Sequence, residues 1–84
     1  MDERITSFKR LLDIMDELRE KCPWDKEQTF ESIRNLTIEE VHELADAILD
    51  KDYIEVKKEL GDLALHLVFY SKIASESNLF TITD

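Results

Sequence analysis

The sequence predicts an all-α fold, an antiparallel helical bundle, and its composition and apolar periodicity both support that prediction. Glycine and proline occur once each among the 84 residues, which leaves too few turn-forming residues for a β-rich fold. Apolar residues recur every three to four positions over long stretches, as they do along one face of a helix. The length suits one domain, and a hydrophobic content of 43% makes disorder unlikely on composition.

The first predicted helix covers residues 3–20, and its apolar face consists of Ile5, Phe8, Leu11, Leu12, Met15 and Leu18. Pro23 ends this helix, because a proline disfavours helical backbone in the residue before it. Residues 21–28 are predicted to form a loop, and a short helix is expected after Thr29.

A second long helix is predicted to begin at Thr37 and to run to about Leu49. Thr37 and Glu40 have the Thr-x-x-Glu spacing of a capping box, in which each side chain bonds the backbone N–H of the other residue. The apolar stripe of this helix consists of Ile38, Val41, Leu44, Ala45 and Ile48.

A third helix is predicted from about Tyr53 to Ser75, after a polar break at residues 50–52. From Leu60 to Ala74 it is apolar on nearly every side, which predicts a central helix packed against several neighbours. The tail at residues 78–84 carries apolar side chains with no further element to pack them. We therefore expect residues 1–84 to be a single helical domain, truncated at its C-terminal end, of a longer chain that continues into another helix.

The charge balance bears on the class of partner. Acidic residues outnumber basic ones by 20 to 11, for a net charge of −9, which argues against nucleic acid or an anionic membrane as partners. This charge suits cations, but solubility explains it equally well. Cys22 is the single cysteine, so no internal disulfide can form, and a reducing cytoplasm is the predicted location.

Two acidic pairs are the candidates for chemistry. Glu40 and Glu43 are three residues apart on the second helix, as are Glu59 and Asp62 on the third. Residues at this spacing share one helix face, and helices joined by a short break pack antiparallel, so the pairs can converge. Converging carboxylates repel one another, so such a site requires protonation or a cation, and oxygen-only ligands select Mg²⁺, Mn²⁺ or Ca²⁺. Spacing alone leaves open that both pairs simply face solvent.

On the third helix, the two acidic residues lie on the same face as an apolar stripe that follows them. Glu59, Asp62 and His66 lie within a sector of roughly 60°, at about 100° per residue, which indicates a partly buried site. For His66, packing in the core is favoured over a place behind the metal ligands, and His42 is expected at the surface. Lys58 lies four residues before Asp62, and the two side chains could form an ion pair instead.

Three motifs resemble those of MazG proteins. Residues 21–29, Lys-Cys-Pro-Trp-Asp-Lys-Glu-Gln-Thr, resemble the family's N-terminal signature. Residues 39–43 match its Glu-Glu-x-x-Glu motif and residues 59–62 match its Glu-x-x-Asp motif. Either acidic motif alone is a weak signal, but the three occur in the family's order within a similarity that covers roughly residues 8–84.

The resemblance implies an N-terminal-type MazG domain, with the all-α fold of nucleoside triphosphate pyrophosphatases completed by dimerisation. It implies hydrolysis of nucleoside triphosphates to monophosphates and pyrophosphate by metal-assisted attack of water on the α-phosphorus. The cofactor is Mg²⁺, with Mn²⁺ as a substitute, and a homodimer or higher homo-oligomer is expected. The metal ligands that it implies are those reached from spacing: Glu40, Glu43, Glu59 and Asp62.

Four further residues are candidates for the site. Glu39 is the catalytic candidate that would orient water, unless it faces solvent. Trp24 is a candidate for stacking on the base, or it anchors its loop. Lys26 and Arg34 are the candidates for phosphate contacts, although surface charge explains each of them as well.

The sequence departs from the family pattern at its end. Family members usually continue past residue 84 into a helix with basic residues, and many carry two such domains. In some of these the C-terminal copy does most of the catalysis. The alternative function is therefore a catalytically weak structural or regulatory dimerisation domain.

Overall fold

The computed structural model describes residues 2–84, and four α-helices account for most of them. They are α1 at Glu3–Lys21, α2 at Pro23–Glu27, α3 at Phe30–Leu49 and α4 at Tyr53–Glu76. Residues 2–84 contain no strand, so the all-α prediction is confirmed. The predicted bounds of the first and third long helices are confirmed to within one residue. Within the described range, no helix is both long enough and apolar enough to cross a membrane.

The start of α3 differs from the prediction. Thr29 is its N-cap: the Ser32 N–H donates to Thr29 Oγ1 at 3.2 Å, and the Thr29 N–H donates to Ser32 Oγ at 2.8 Å. This capping box at residues 29–32 begins the helix eight residues before Thr37. Thr37 lies inside α3, where its hydroxyl donates to the carbonyl oxygen of Ile33 at 3.2 Å. The predicted capping box at Thr37 and Glu40 is wrong, and the Glu40 carboxylate has no capping role.

The predicted loop at residues 21–28 is also wrong in part, because it contains α2. Pro23 ends α1 and occupies the first turn of α2, where its missing N–H has no bond to lose. Arg19 holds α2 in place through Nη1, which donates to the carbonyl oxygens of Asp25, Lys26 and Gln28 at 2.6, 3.0 and 2.9 Å. Its Nε and Nη2 bond the Glu76 carboxylate, so one guanidinium joins α1, α2 and the end of α4.

Helix α4 lies between α1 and α3 and packs against both. The buried core consists of Met15, Ile33, Val68, Phe69 and Ile73. The predicted central position of α4 is confirmed on these two sides. On its remaining side, Leu60 and Leu67 are 52% and 59% exposed, so α4 is not covered all round.

Candidate metal centre

Three glutamate side chains from α3 and α4 converge at one point. Glu40 and Glu43 lie one turn apart on α3 and Glu59 lies on α4; each offers an oxygen, and these oxygens are within 4.8 Å of one another. Glu59 is 1% exposed and Glu40 is 9% exposed, whereas Glu43 is at the surface. We call this group the glutamate cluster. It has two buried carboxylates with a third at its mouth.

The cluster lacks donors for its buried oxygens. Glu40 Oε2 and Glu59 Oε1 are buried and have no hydrogen-bond partner among residues 2–84, whereas buried polar atoms are normally bonded. An unpaired buried charge is costly. The unpartnered oxygens and the all-oxygen donor set therefore fit a hard divalent cation.

Lys58 is the nearby basic group, and it compensates the cluster only in part. Its Nζ lies 3.8 Å from Glu59 Oε1 and 3.5 Å from Glu55 Oε1, and its side chain is 65% exposed. The suggested ion pair with Asp62 is wrong: Lys58 lies against Glu55, one turn earlier on the same helix. A solvated lysine at these distances leaves most of the cluster's charge unbalanced.

Burial and neighbouring carboxyls raise the pKa values of Glu40 and Glu59. Burial is the main cause that raises the pKa of Glu40 to about 8, followed by the adjacent Glu59 carboxyl and the charge of Asp62. The pKa of Glu59 is also raised, first by the adjacent Glu43 carboxyl and then by burial. Without a cation, the cluster therefore retains a proton near neutral pH. A divalent cation would compete with that proton for the same oxygens.

Asp62, the fourth predicted ligand, lies half-buried on α4 beside the cluster. Its charge contributes to the raised pKa of Glu40, so the two carboxylates are neighbours. It does not belong to the set of oxygens that meet within 4.8 Å. The structure thus brings three of the four predicted ligands to one point and the fourth to its edge, and all four ligand roles stay predictions.

The other four candidate residues lie outside the cluster. Glu39 is exposed on α3 next to it in sequence, and Arg34 is exposed on α3 about 9 Å before it. Lys26 is exposed on α2. Trp24, also on α2, is 53% exposed, and its ring meets the edge of Phe69 with centroids 6.4 Å apart. The catalytic and substrate-binding roles of these four residues stay predictions.

An acidic groove extends from the cluster towards the α3–α4 connection, with a volume of about 360 Å³. It is lined by Glu43, Asp46, Ala47, Asp50, Asp52, Glu55, Lys58 and Glu59. Six of these side chains are carboxylates and one is a lysine. Such a surface concentrates cations and repels free polyphosphate.

Hydrogen-bonding side chains lie on the opposite side of the cluster. Thr37 Oγ1 is 3.0 Å from His66 Nδ1 and 2.6 Å from the Tyr70 hydroxyl. The Tyr70 ring stacks on Phe30 with centroids 6.0 Å apart. His66 is therefore a half-buried, hydrogen-bonded histidine between two helices, and His42 is exposed, as expected. This contact was not predicted, although Thr37 and His66 flank the two acidic motifs.

Comparison with known proteins gives a family match and several relatives. The MazG nucleotide pyrophosphohydrolase domain matches residues 28–84. A nucleoside triphosphate pyrophosphohydrolase of Escherichia coli K12 is 47% identical over 83 residues, which are 95% of this chain and 32% of that protein. The nucleoside triphosphate pyrophosphohydrolase/pyrophosphatase MazG of Thermotoga maritima is 45% identical over 86 residues, which cover 100% of this chain and 34% of the Thermotoga protein.

A nucleoside triphosphate pyrophosphohydrolase of Mycobacterium tuberculosis is 41% identical over 81 residues, with 90% of this chain and 25% of that protein covered. The chain therefore spans between a quarter and a third of the length of these curated relatives. Each of these names describes the activity of a protein that is about three to four times as long as this chain.

Proposed function

Since this chain belongs to the MazG nucleotide pyrophosphohydrolase family, we propose that it hydrolyses nucleoside triphosphates to monophosphates and pyrophosphate, using Mg²⁺ or Mn²⁺. The observation that carries this proposal is the glutamate cluster, in which two buried carboxylate oxygens have no hydrogen-bond partner among the described residues. The relatives named nucleoside triphosphate pyrophosphohydrolase support the reaction.

In this proposal Glu40, Glu43, Glu59 and Asp62 hold the cation. Bound Mg²⁺ supplies Lewis acidity towards phosphate oxygens and offsets the negative charge that develops on them. Burial of two of the ligands keeps solvent away from their oxygens and strengthens their attraction for a cation. The exposed Glu43 leaves the cluster open on one side, where a phosphate group can approach.

The remaining candidate residues act on water and substrate in this proposal. Glu39 accepts a hydrogen bond from the water that attacks the α-phosphorus, since it is exposed and adjacent in sequence to a ligand. Trp24 stacks on the base through its exposed face. Lys26 and Arg34, both exposed, contact phosphate oxygens.

Pyrophosphate release in the presence of Mg²⁺ tests the proposal. We expect Glu43→Ala and Asp62→Ala each to abolish Mg²⁺-dependent release from nucleoside triphosphates, while circular dichroism shows that the helices are retained. Glu31→Ala is the matched control, because Glu31 is an exposed acid in the first turn of α3. Undiminished turnover in either cluster variant would remove these carboxylates from the mechanism.

The length of the relatives favours one alternative. Because this chain covers 32% of the Escherichia coli protein, it can serve as a structural or regulatory dimerisation domain while the remaining sequence catalyses. Comparing turnover by residues 1–84 with that of a full-length relative separates the two functions. Mg²⁺ binding does not separate them, because an inactive site can still bind the ion.

A further inference from the structure

Three side chains from α3 and α4 meet at a single hydroxyl oxygen. Thr37 Oγ1 lies 3.0 Å from His66 Nδ1, 2.6 Å from the Tyr70 hydroxyl and 3.2 Å from the carbonyl oxygen of Ile33. A hydroxyl donates one hydrogen bond and accepts two, so one threonine can satisfy all three contacts. The three side chains, which we call the Thr37 cluster, are half-buried, and this protects their bonds from competing water.

The Thr37 cluster lies about one helical turn from the proposed metal ligands on both helices. Thr37 is three residues before Glu40 on α3, and His66 is four residues after Asp62 on α4. These separations correspond to roughly 4.5–6 Å along the helix axes. The helices that must bring the carboxylates together are therefore bonded to each other immediately beside them.

The glutamate cluster does not hold the two helices together by itself. Its carboxylates repel one another when ionised, and two of its buried oxygens lack hydrogen-bond partners. Gly61, between Glu59 and Asp62, faces open space, since a Cβ there would meet no atom within 4 Å. A slip of α3 by one residue would rotate each ligand by about 100° and shift it by 1.5 Å, which a metal site does not tolerate.

We propose that the Thr37 cluster fixes the register of α3 against α4, so that Glu40 meets Glu59 and Asp62 in the arrangement that a divalent cation requires. Thr37, His66 and Tyr70 are positioning residues that act through the carboxylates. This inference rests on the metal centre of the proposed function. Removing groups that orient metal ligands typically lowers metal affinity by 10–100-fold.

Isosteric substitution at Thr37 separates the hydroxyl from the shape of the side chain. Thr37→Val removes the hydroxyl and keeps the branched side chain, whereas Thr37→Ser keeps the hydroxyl. Thr6→Val is the matched control, because the Thr6 hydroxyl also bonds a carbonyl four residues earlier, that of Asp2 at 3.3 Å. Within the described chain, Thr6 has no bond to another helix.

Calorimetric titration of the chain with MgCl₂ provides the readout. We expect Thr37→Val to weaken Mg²⁺ binding by roughly 10-fold or more, and Thr37→Ser and Thr6→Val to bind as the parent chain does. Tyr70→Phe keeps the ring on Phe30 but loses its hydroxyl, and it should weaken binding in the same direction. Parent-like Mg²⁺ affinity in a folded Thr37→Val protein overturns the inference; should that variant not fold, Tyr70→Phe decides in the same way.

Amide NMR spectra of the metal-free proteins keep the two hypotheses distinguishable. We expect the amide resonances of Glu40 and Glu59 to move in Thr37→Val and to stay in place in Thr6→Val. If the parent chain binds no Mg²⁺, the proposed metal centre is wrong, and the role of the Thr37 cluster is tested by these resonances alone. Displaced resonances in Thr37→Val then support its role in the register of α3 against α4, and unchanged resonances overturn that role.

Discussion

Glu40 is an acid whose surroundings favour its protonated form. Burial raises its pKa from the ordinary 4.5 to about 8, and neighbouring carboxyls act in the same direction. Between these two pH values the folded chain binds more protons than the unfolded chain. The free energy of unfolding must then decrease as pH rises, because ionisation costs more in the folded state. The raised pKa of Glu59 has the same sign.

The metal-free chain is therefore predicted to lose stability as pH rises from about 5 to about 8. Thermal melts in EDTA across this range should show a falling Tm, and Glu40→Gln should flatten the fall, because glutamine does not ionise. Adding Mg²⁺ at the upper end should raise the Tm, since the cation binds the ionised carboxylates of the folded state. Equal slopes for the parent chain and Glu40→Gln would contradict this account.

At the residue scale, much of the candidate site was predictable from spacing. Glutamates three residues apart on a helix share a face wherever the helix lies, so Glu40 and Glu43 had to point the same way. Lys58 has acidic residues one turn away in both directions along α4, and spacing alone did not show that it pairs with Glu55 and not with Asp62. The contact of His66 was not predictable, because it depends on which atoms lie nearest once two helices have packed. Arg19 was missed for the same reason: its partners lie on α2 and at the end of α4.

At the scale of elements, apolar periodicity predicted both α1 and α4, and Pro23 predicted where α1 ends. The beginning of α3 did not, because Thr29 and Thr37 both have a capping partner three residues later. Nothing between them breaks a helix, so the earlier cap operates. Helix α2 has five residues, too few to show a period. It is held by hydrogen bonds from Arg19, which no local sequence pattern predicts.

The connection between α3 and α4 offers a test at this scale. Lys51 has φ of 57°, a left-handed conformation that costs a residue with a Cβ roughly 1–2 kcal/mol. Lys51→Gly relieves this cost but adds freedom to the unfolded chain, worth roughly 0.4–1 kcal/mol.

We therefore expect Lys51→Gly to increase the free energy of unfolding by about 0.5–1 kcal/mol, measured by urea denaturation. Lys57→Gly, in the interior of α4, is the control, and it should destabilise the chain by about 1 kcal/mol. Destabilisation by Lys51→Gly would show that the lysine side chain contributes more at this connection than its backbone costs.

At the scale of the whole molecule, the chain exposes much apolar surface for its size. Domains of this length bury a smaller fraction of their surface than larger ones do. Near the α3–α4 connection, Leu49, Tyr53 and Ile54 are 81%, 70% and 85% exposed. Neighbouring apolar side chains this exposed are typical of a surface that another subunit covers, which supports the proposed homodimer.

Self-association through this surface gives the last prediction. Sedimentation of the parent chain should show a species larger than a monomer whose fraction increases with concentration, and Ile54→Lys should shift it towards monomer because burying a charge opposes association. Lys26→Gln, on exposed α2, serves as the control and should sediment as the parent chain does. Unchanged association in Ile54→Lys would place the subunit contact elsewhere. Loss of association with Mg²⁺ affinity retained would show that one protomer holds the cation without its partner.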